Sequence, residues 1–144
     1  MAKSGEIFQV LGNTITMKVA AADSNGALAM FVEEVPAKAG APLHVHKAAA
    51  ETWFVLKGNF KISVNGEIRE LGVGDGLFLA PNVPRAFKNI GDEAGQMLFT
   101  IVPSGPEGFF EEVSRGNFNP ATDLPEIMRI AAKYQLEIVG PPLE

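Results

Sequence analysis

Turn chemistry cuts this chain into short segments, and that punctuation narrows its fold more than any other feature. Asn65-Gly66 stands between two β-rich runs, 60–64 and 67–71. Both central positions of a two-residue type I′ hairpin need positive φ, and Asn-Gly supplies it at low cost. Gly12-Asn13 marks a second hairpin, between runs 7–11 and 14–19, and Gly58-Asn59 leads from run 51–57 into 60–64. Further apolar or β-branched runs lie at 28–35, 43–46, 76–79, 85–89 and 96–102, the first of them preceded by Ser24-Asn25-Gly26. Strands at this spacing, with Gly and Pro between them, build a sandwich or a closed barrel.

The tail changes period. Phe109, Phe110 and Val113 fall at helical spacing within 106–114. Asp123-Leu124-Pro125 then opens a second helix, with Asp as its cap and Pro in its first turn. Ile127, Ile130, Ala131 and Tyr134 follow an i, i+3, i+4, i+7 stripe, the pattern of a face laid on a barrel wall or a partner chain. Gly140-Pro141-Pro142 stops it.

A chain of 144 residues with 47% apolar content buries one core, so a single domain is expected. A net charge of −5 argues against nucleic acid or an anionic membrane as partner. There is no cysteine, which excludes disulfides, thiolate metal sites and a catalytic thiol. No signal peptide or membrane span is visible, so a cytoplasmic location is expected.

His44 and His46 are the only two histidines. On a strand, residues two apart share a face, so both imidazoles can point at one spot. A turn through 47–50 brings Glu51 beside them on the next strand. Two imidazoles and one carboxylate on one side of a cation form the open facial triad of transition-metal sites. Strand alternation alone also produces H-x-H, so the pair needs its surroundings to carry meaning.

Those surroundings resemble the cupin superfamily. Its first motif reads H-x-H, three or four residues, Glu, six residues, Gly, and His44, His46, Glu51 and Gly58 fit it. The Gly that usually precedes the first His falls on Lys38, with Gly40 nearby. The second motif, aligned on Gly74 and Asn89, has Ala80 for its Pro (Pro81 is adjacent), Asn82 for its second Gly and Arg85 for its His. That His is the family's fourth metal ligand, and a guanidinium, always protonated and without an acceptor, cannot ligate. The resemblance covers roughly 35–102. It implies an all-β fold, a cupin jelly-roll β-barrel with C-terminal α-helices: one domain over 1–144, the barrel at about 7–102 and a helical tail at about 106–140. Within the superfamily the chain is similar to the small quercetin-dioxygenase-like proteins.

Three readings of Arg85 stay open at this point. In the first, a divalent transition metal (Fe, Ni, Mn, Cu or Zn) sits on His44, His46 and Glu51, and Arg85 holds an anionic substrate bidentately. Glu51 and Arg85 are then the catalytic residues, with Arg85, Phe87 and Trp53 lining the substrate pocket by strand parity. In the second, Arg85 pairs with Glu51, no metal binds, and the pocket takes a small anionic ligand. In the third, the site is a remnant of the fold. Two functions follow: a metal-dependent, dioxygenase-like oxidoreductase on a small organic substrate, or a non-catalytic module that binds a small anion through Arg85. The resemblance also implies a homodimer, with segment 7–19 as an edge strand for a neighbour.

Overall fold

The computed structural model describes residues 2–144. Its strands are β1 (Ile7–Val10), β2 (Asn13–Val19), β3 (Ala29–Val35), β4 (Gly40–His46), β5 (Ala50–Lys57), β6 (Phe60–Val64), β7 (Glu67–Leu71), β8 (Gly76–Leu79), β9 (Arg85–Asn89) and β10 (Gly95–Val102). Helices α1 (Glu107–Gly116) and α2 (Leu124–Lys133) follow, and the last strand is β11 (Leu136–Ile138). Two antiparallel sheets, ordered β1-β2-β3-β10-β5-β8 and β11-β4-β9-β6-β7, face each other as a jelly roll.

Alternation along each strand builds the core between the sheets. On β5, Trp53 and Val55 are buried while Phe54 and Leu56 are exposed. Phe31 stacks on Phe99 with ring centroids 4.7 Å apart, and Phe110 of α1 meets both rings edge-on. From β6 and β9, Phe60, Ile62 and Phe87 complete the opposite wall. Helix α1 packs on β1, and α2 buries Ile127, Ile130 and Ala131. Among the described residues, no helix is long and apolar enough to cross a membrane.

Local backbone chemistry explains the turns. Asn65 and Gly66 take φ of 52° and 84°, the values a type I′ hairpin requires. The first hairpin differs from the sequence expectation. Val10 pairs with Asn13, so the turn residues are Leu11 and Gly12, with φ of 51° and 89°. Asn13 is thereby drawn into β2 and points inward. Lys38 and Asn82, which stand at the two departures from the family's glycines, both adopt left-handed backbone, at φ 66° and 67°.

The tail also departs from expectation. Residues 136–138 are not helical but pair antiparallel to β4, Leu136 with His46 and Ile138 with His44. Gln135 turns left-handed at φ 61° after α2 and directs the chain back along the barrel. Asp123 sits at the N-cap of α2, yet its side chain makes no bond to that helix. Its Oδ2 instead accepts from the Asn119 backbone N–H at 2.8 Å.

Candidate metal centre

His44 and His46 lie on β4 and Glu51 on β5, so the cluster bridges the two sheets near one end of the barrel. Each residue offers a ligand atom, and these atoms lie within 4.8 Å of one another. His44 Nδ1 is 2.8 Å from the Pro42 carbonyl oxygen. A carbonyl only accepts, so Nδ1 carries the proton and Nε2 presents its lone pair, the orientation a metal ligand needs. Burial is the main force holding both rings neutral. It pushes His44 down to about 4, with His46 adding repulsion, and His46 down to about 3, with Arg85 adding to it. Neutral imidazole is the ligating form.

Arg85 lies across the strand pair from His44 and is fully buried. Its Nη1 donates to Glu51 Oε1 at 3.1 Å, its Nε to the Val83 carbonyl at 3.0 Å and its Nη2 to the Ala80 carbonyl at 2.6 Å. Burial raises the Glu51 pKa, and the nearby His44 and Arg85 oppose that rise. Oε1 of Glu51 is also 3.6 Å from His46 Nε2. Two neutral imidazoles, one of them tautomer-locked, and one carboxylate fit a divalent transition metal. Among the described residues, His46 Nδ1 is buried without a hydrogen-bond partner. The adjacent guanidinium charge lowers the affinity such a site can reach.

The cluster opens onto a cavity of about 70 Å³ between the sheets. Trp53 and Phe87 line it, as strand parity led us to expect, and meet edge-on with centroids 5.2 Å apart. Arg85 does not line it: its donors are directed to Glu51 and to two carbonyls of its own loop. Asn13, Glu33, Phe109 and Phe110 are among the lining residues that escaped the sequence reading. For Glu33 a signal existed. It shares inward parity on β3 with Ala29, Phe31 and Val35, and a carboxylate in an apolar register calls for an explanation.

Asn13 Nδ2 donates to Glu33 Oε2 at 2.7 Å and to the Gly40 carbonyl at 3.2 Å. Burial pushes the Glu33 pKa up to about 7; the Asn13 bond works against this and repulsion from Glu51 adds to it. The folded protein therefore holds a proton there that the unfolded chain releases near 4.5. Stability from this proton is complete below about 4.5 and disappears as pH rises through about 7. Relative to Glu33→Gln, the wild type is expected to lose up to about 3 kcal/mol between those limits, at 1.36 kcal/mol per unit. Urea denaturation of both proteins across that range, with chelator present, measures it. A constant difference would show that Glu33 is not enclosed as described.

Residues 31–101 match the family model described as Cupin domain. Solved structures agree in fold. The polyketide cyclase RemF from Streptomyces resistomycificus superposes with a TM-score of 0.61 at 18% identity, covering 72% of this chain and 81% of that one. A predicted oxalate decarboxylase from Thermotoga maritima gives a TM-score of 0.61 at 20% identity, covering 72% and 99%. The cupin domain of Cnp3 from Schizosaccharomyces pombe gives 0.60 at 18%, covering 79% and 76%. With the two sheets and the His44, His46 and Glu51 cluster, these findings define a jelly-roll barrel with a possible interior metal site. The fold is that of the cupin jelly roll, and residues 31–101 are similar to the Cupin domain family. One curated protein, "Polyketide synthase CurC" from Streptomyces cyaneus, is 30% identical over 64 residues. That match spans 44% of this chain and 42% of the curated relative's length.

Proposed function

We propose that the protein is a metal-dependent enzyme of the barrel interior, acting on a small, neutral, enolisable carbonyl compound in a dioxygenase-like oxidation. The observation that supports this reading is the convergence of His44, His46 and Glu51 at a largely apolar cavity. A divalent metal there would supply Lewis-acid polarisation of the carbonyl and, with three protein ligands, open positions for a co-substrate. Arg85 fixes the Glu51 carboxylate in place. The Trp53 and Phe87 rings exclude water and favour an uncharged substrate.

Cavity size sets the substrate scale. A dry cavity that admits benzene measures about 150 Å³, against about 70 Å³ here. A substrate of a few heavy atoms fits; a larger one requires Phe109 and Phe110 of α1 to swing aside.

A second reading, oxygen-independent ring closure, draws on two likenesses: RemF is called a polyketide cyclase and CurC a polyketide synthase. It needs α1 to open. The metal-free anion-binding alternative loses its anchor, since Arg85 is enclosed and absent from the cavity wall. An oxygen electrode separates the first two readings. Iron-loaded protein given a panel of small enolisable ketones should consume oxygen, and His46→Ala should not. Turnover that continues in nitrogen-purged solution would move the assignment to ring closure.

We propose that the protein is a homodimer. β1 is an edge strand of its sheet and Ile7 is 61% exposed. Sedimentation at micromolar concentration should show two copies, and a monomer would reject the proposal.

A further inference from the structure

We infer that Glu33, held by Asn13 on the cavity wall, is the acid–base group that takes the substrate's proton; this rests on the proposed enolisable substrate. Glu33 comes from β3 and Asn13 from β2, both in the larger sheet, and both line the same cavity as the metal cluster. Glu33 is 8% exposed and Asn13 2%. Among the described residues, the one hydrogen bond to the Glu33 carboxyl comes from Asn13 and reaches Oε2, leaving Oε1 without a partner.

A buried acid is costly to retain in an apolar wall, and a packing role is filled better by Leu or Met. Asn13 adds to the cost, because its own Oδ1 is buried without a partner. A polar pair kept under those penalties, open to the void beside a Lewis-acid site, suits proton transfer. Glu51 is less suited to this work, because Arg85 already engages it and a metal would claim it.

The step balances simply. A C–H bond next to the substrate carbonyl breaks and its proton forms an O–H bond on the Glu33 carboxylate. The electron pair enters the new C=C bond, and the negative charge moves to the carbonyl oxygen, where a metal held by His44, His46 and Glu51 would stabilise it. Nothing is oxidised or reduced. Oxygenation and ring closure of an enolisable compound both begin in this way. The charged group that acts on Glu33 from the packed elements is Glu51; its cross-strand neighbours, Ile15 and Met97, are apolar.

Hydroxyacetone is the probe: neutral, three-carbon and enolisable. Zinc-loaded protein in deuterated water should exchange its α-protons for deuterium, followed by proton NMR, and saturation-transfer NMR reports binding separately. Glu33→Gln should slow exchange by at least about 100-fold, with zinc content and saturation transfer unchanged. Asn13→Ala should move the pH midpoint of exchange upward, because its amide stabilises the ionised carboxylate. If Glu33→Gln is insoluble, Glu33→Asp replaces it; withdrawal of the carboxylate by one methylene should still slow exchange at least about tenfold. Exchange within threefold of wild type in the soluble variant, with hydroxyacetone still bound, overturns the role of Glu33 and leaves the enzyme reading standing. A wild type that neither binds nor exchanges the probe overturns both.

Discussion

Arg85→Ala should lower the free energy of unfolding by about 3–5 kcal/mol in chelator-treated protein at neutral pH. Arg85 is fully buried and Glu51 is 5% exposed, so removing the cation strands a carboxylate in the interior. The Val83 and Ala80 carbonyls lose their donors in the same change. Urea denaturation measures the loss. Two controls identify its cause. Adding Glu51→Gln should restore part of the stability, since a neutral amide needs no counter-ion. A divalent metal should then stabilise Arg85→Ala more than wild type, because ligation supplies the missing positive charge and binding to the native state adds to its stability. A loss below about 1 kcal/mol would place the pair in the range of solvent-screened surface bridges and reject its enclosure.

His46→Ala should weaken divalent-metal binding by at least about 100-fold. Loss of a residue that merely supports a ligand costs about 10–100-fold, and here one of three direct ligands goes. The stability cost of the same change should be modest in the metal-free state. His46 is held neutral, and its Nδ1 has no partner to orphan. Competition against a chromogenic chelator measures the affinity. Unchanged metal content in His46→Ala would end the assignment of this cluster as a metal centre. The two substitutions thus separate roles that adjoin in space: one residue balances charge, the other ligates.

The two results bear on each other through Glu51. The Arg85 hydrogen bond to Glu51 goes to Oε1. A metal can therefore share the carboxylate with Arg85, at reduced affinity. The site is a candidate three-donor centre with a built-in positive neighbour, in place of the fourth imidazole that the cupin motif usually carries there.

Much of the barrel was legible in the sequence because its determinants are local. Asn65-Gly66 fixes a turn by its own backbone energetics, and period-two alternation sends Trp53 inward and Phe54 outward. His44 and His46 share a face for the same reason, so their convergence with Glu51 could be read from spacing. Local signals failed where a choice depended on distant partners. The stretch 136–138 has no strong preference of its own and became a strand because the edge of β4 offered a ladder. Alternation placed Glu33 inward but could not say that Asn13, from a turn displaced by one residue, would meet it. Nor could it say that Phe109 and Phe110 would roof the cavity, since a helical period specifies a face but not what the face covers. Arg85 shows the same division. Sequence determined that a cation stands where a ligand is expected, and only the tertiary structure directed it to Glu51 rather than the cavity, because enclosure of a charge is settled by which opposite charge and carbonyls are enclosed with it.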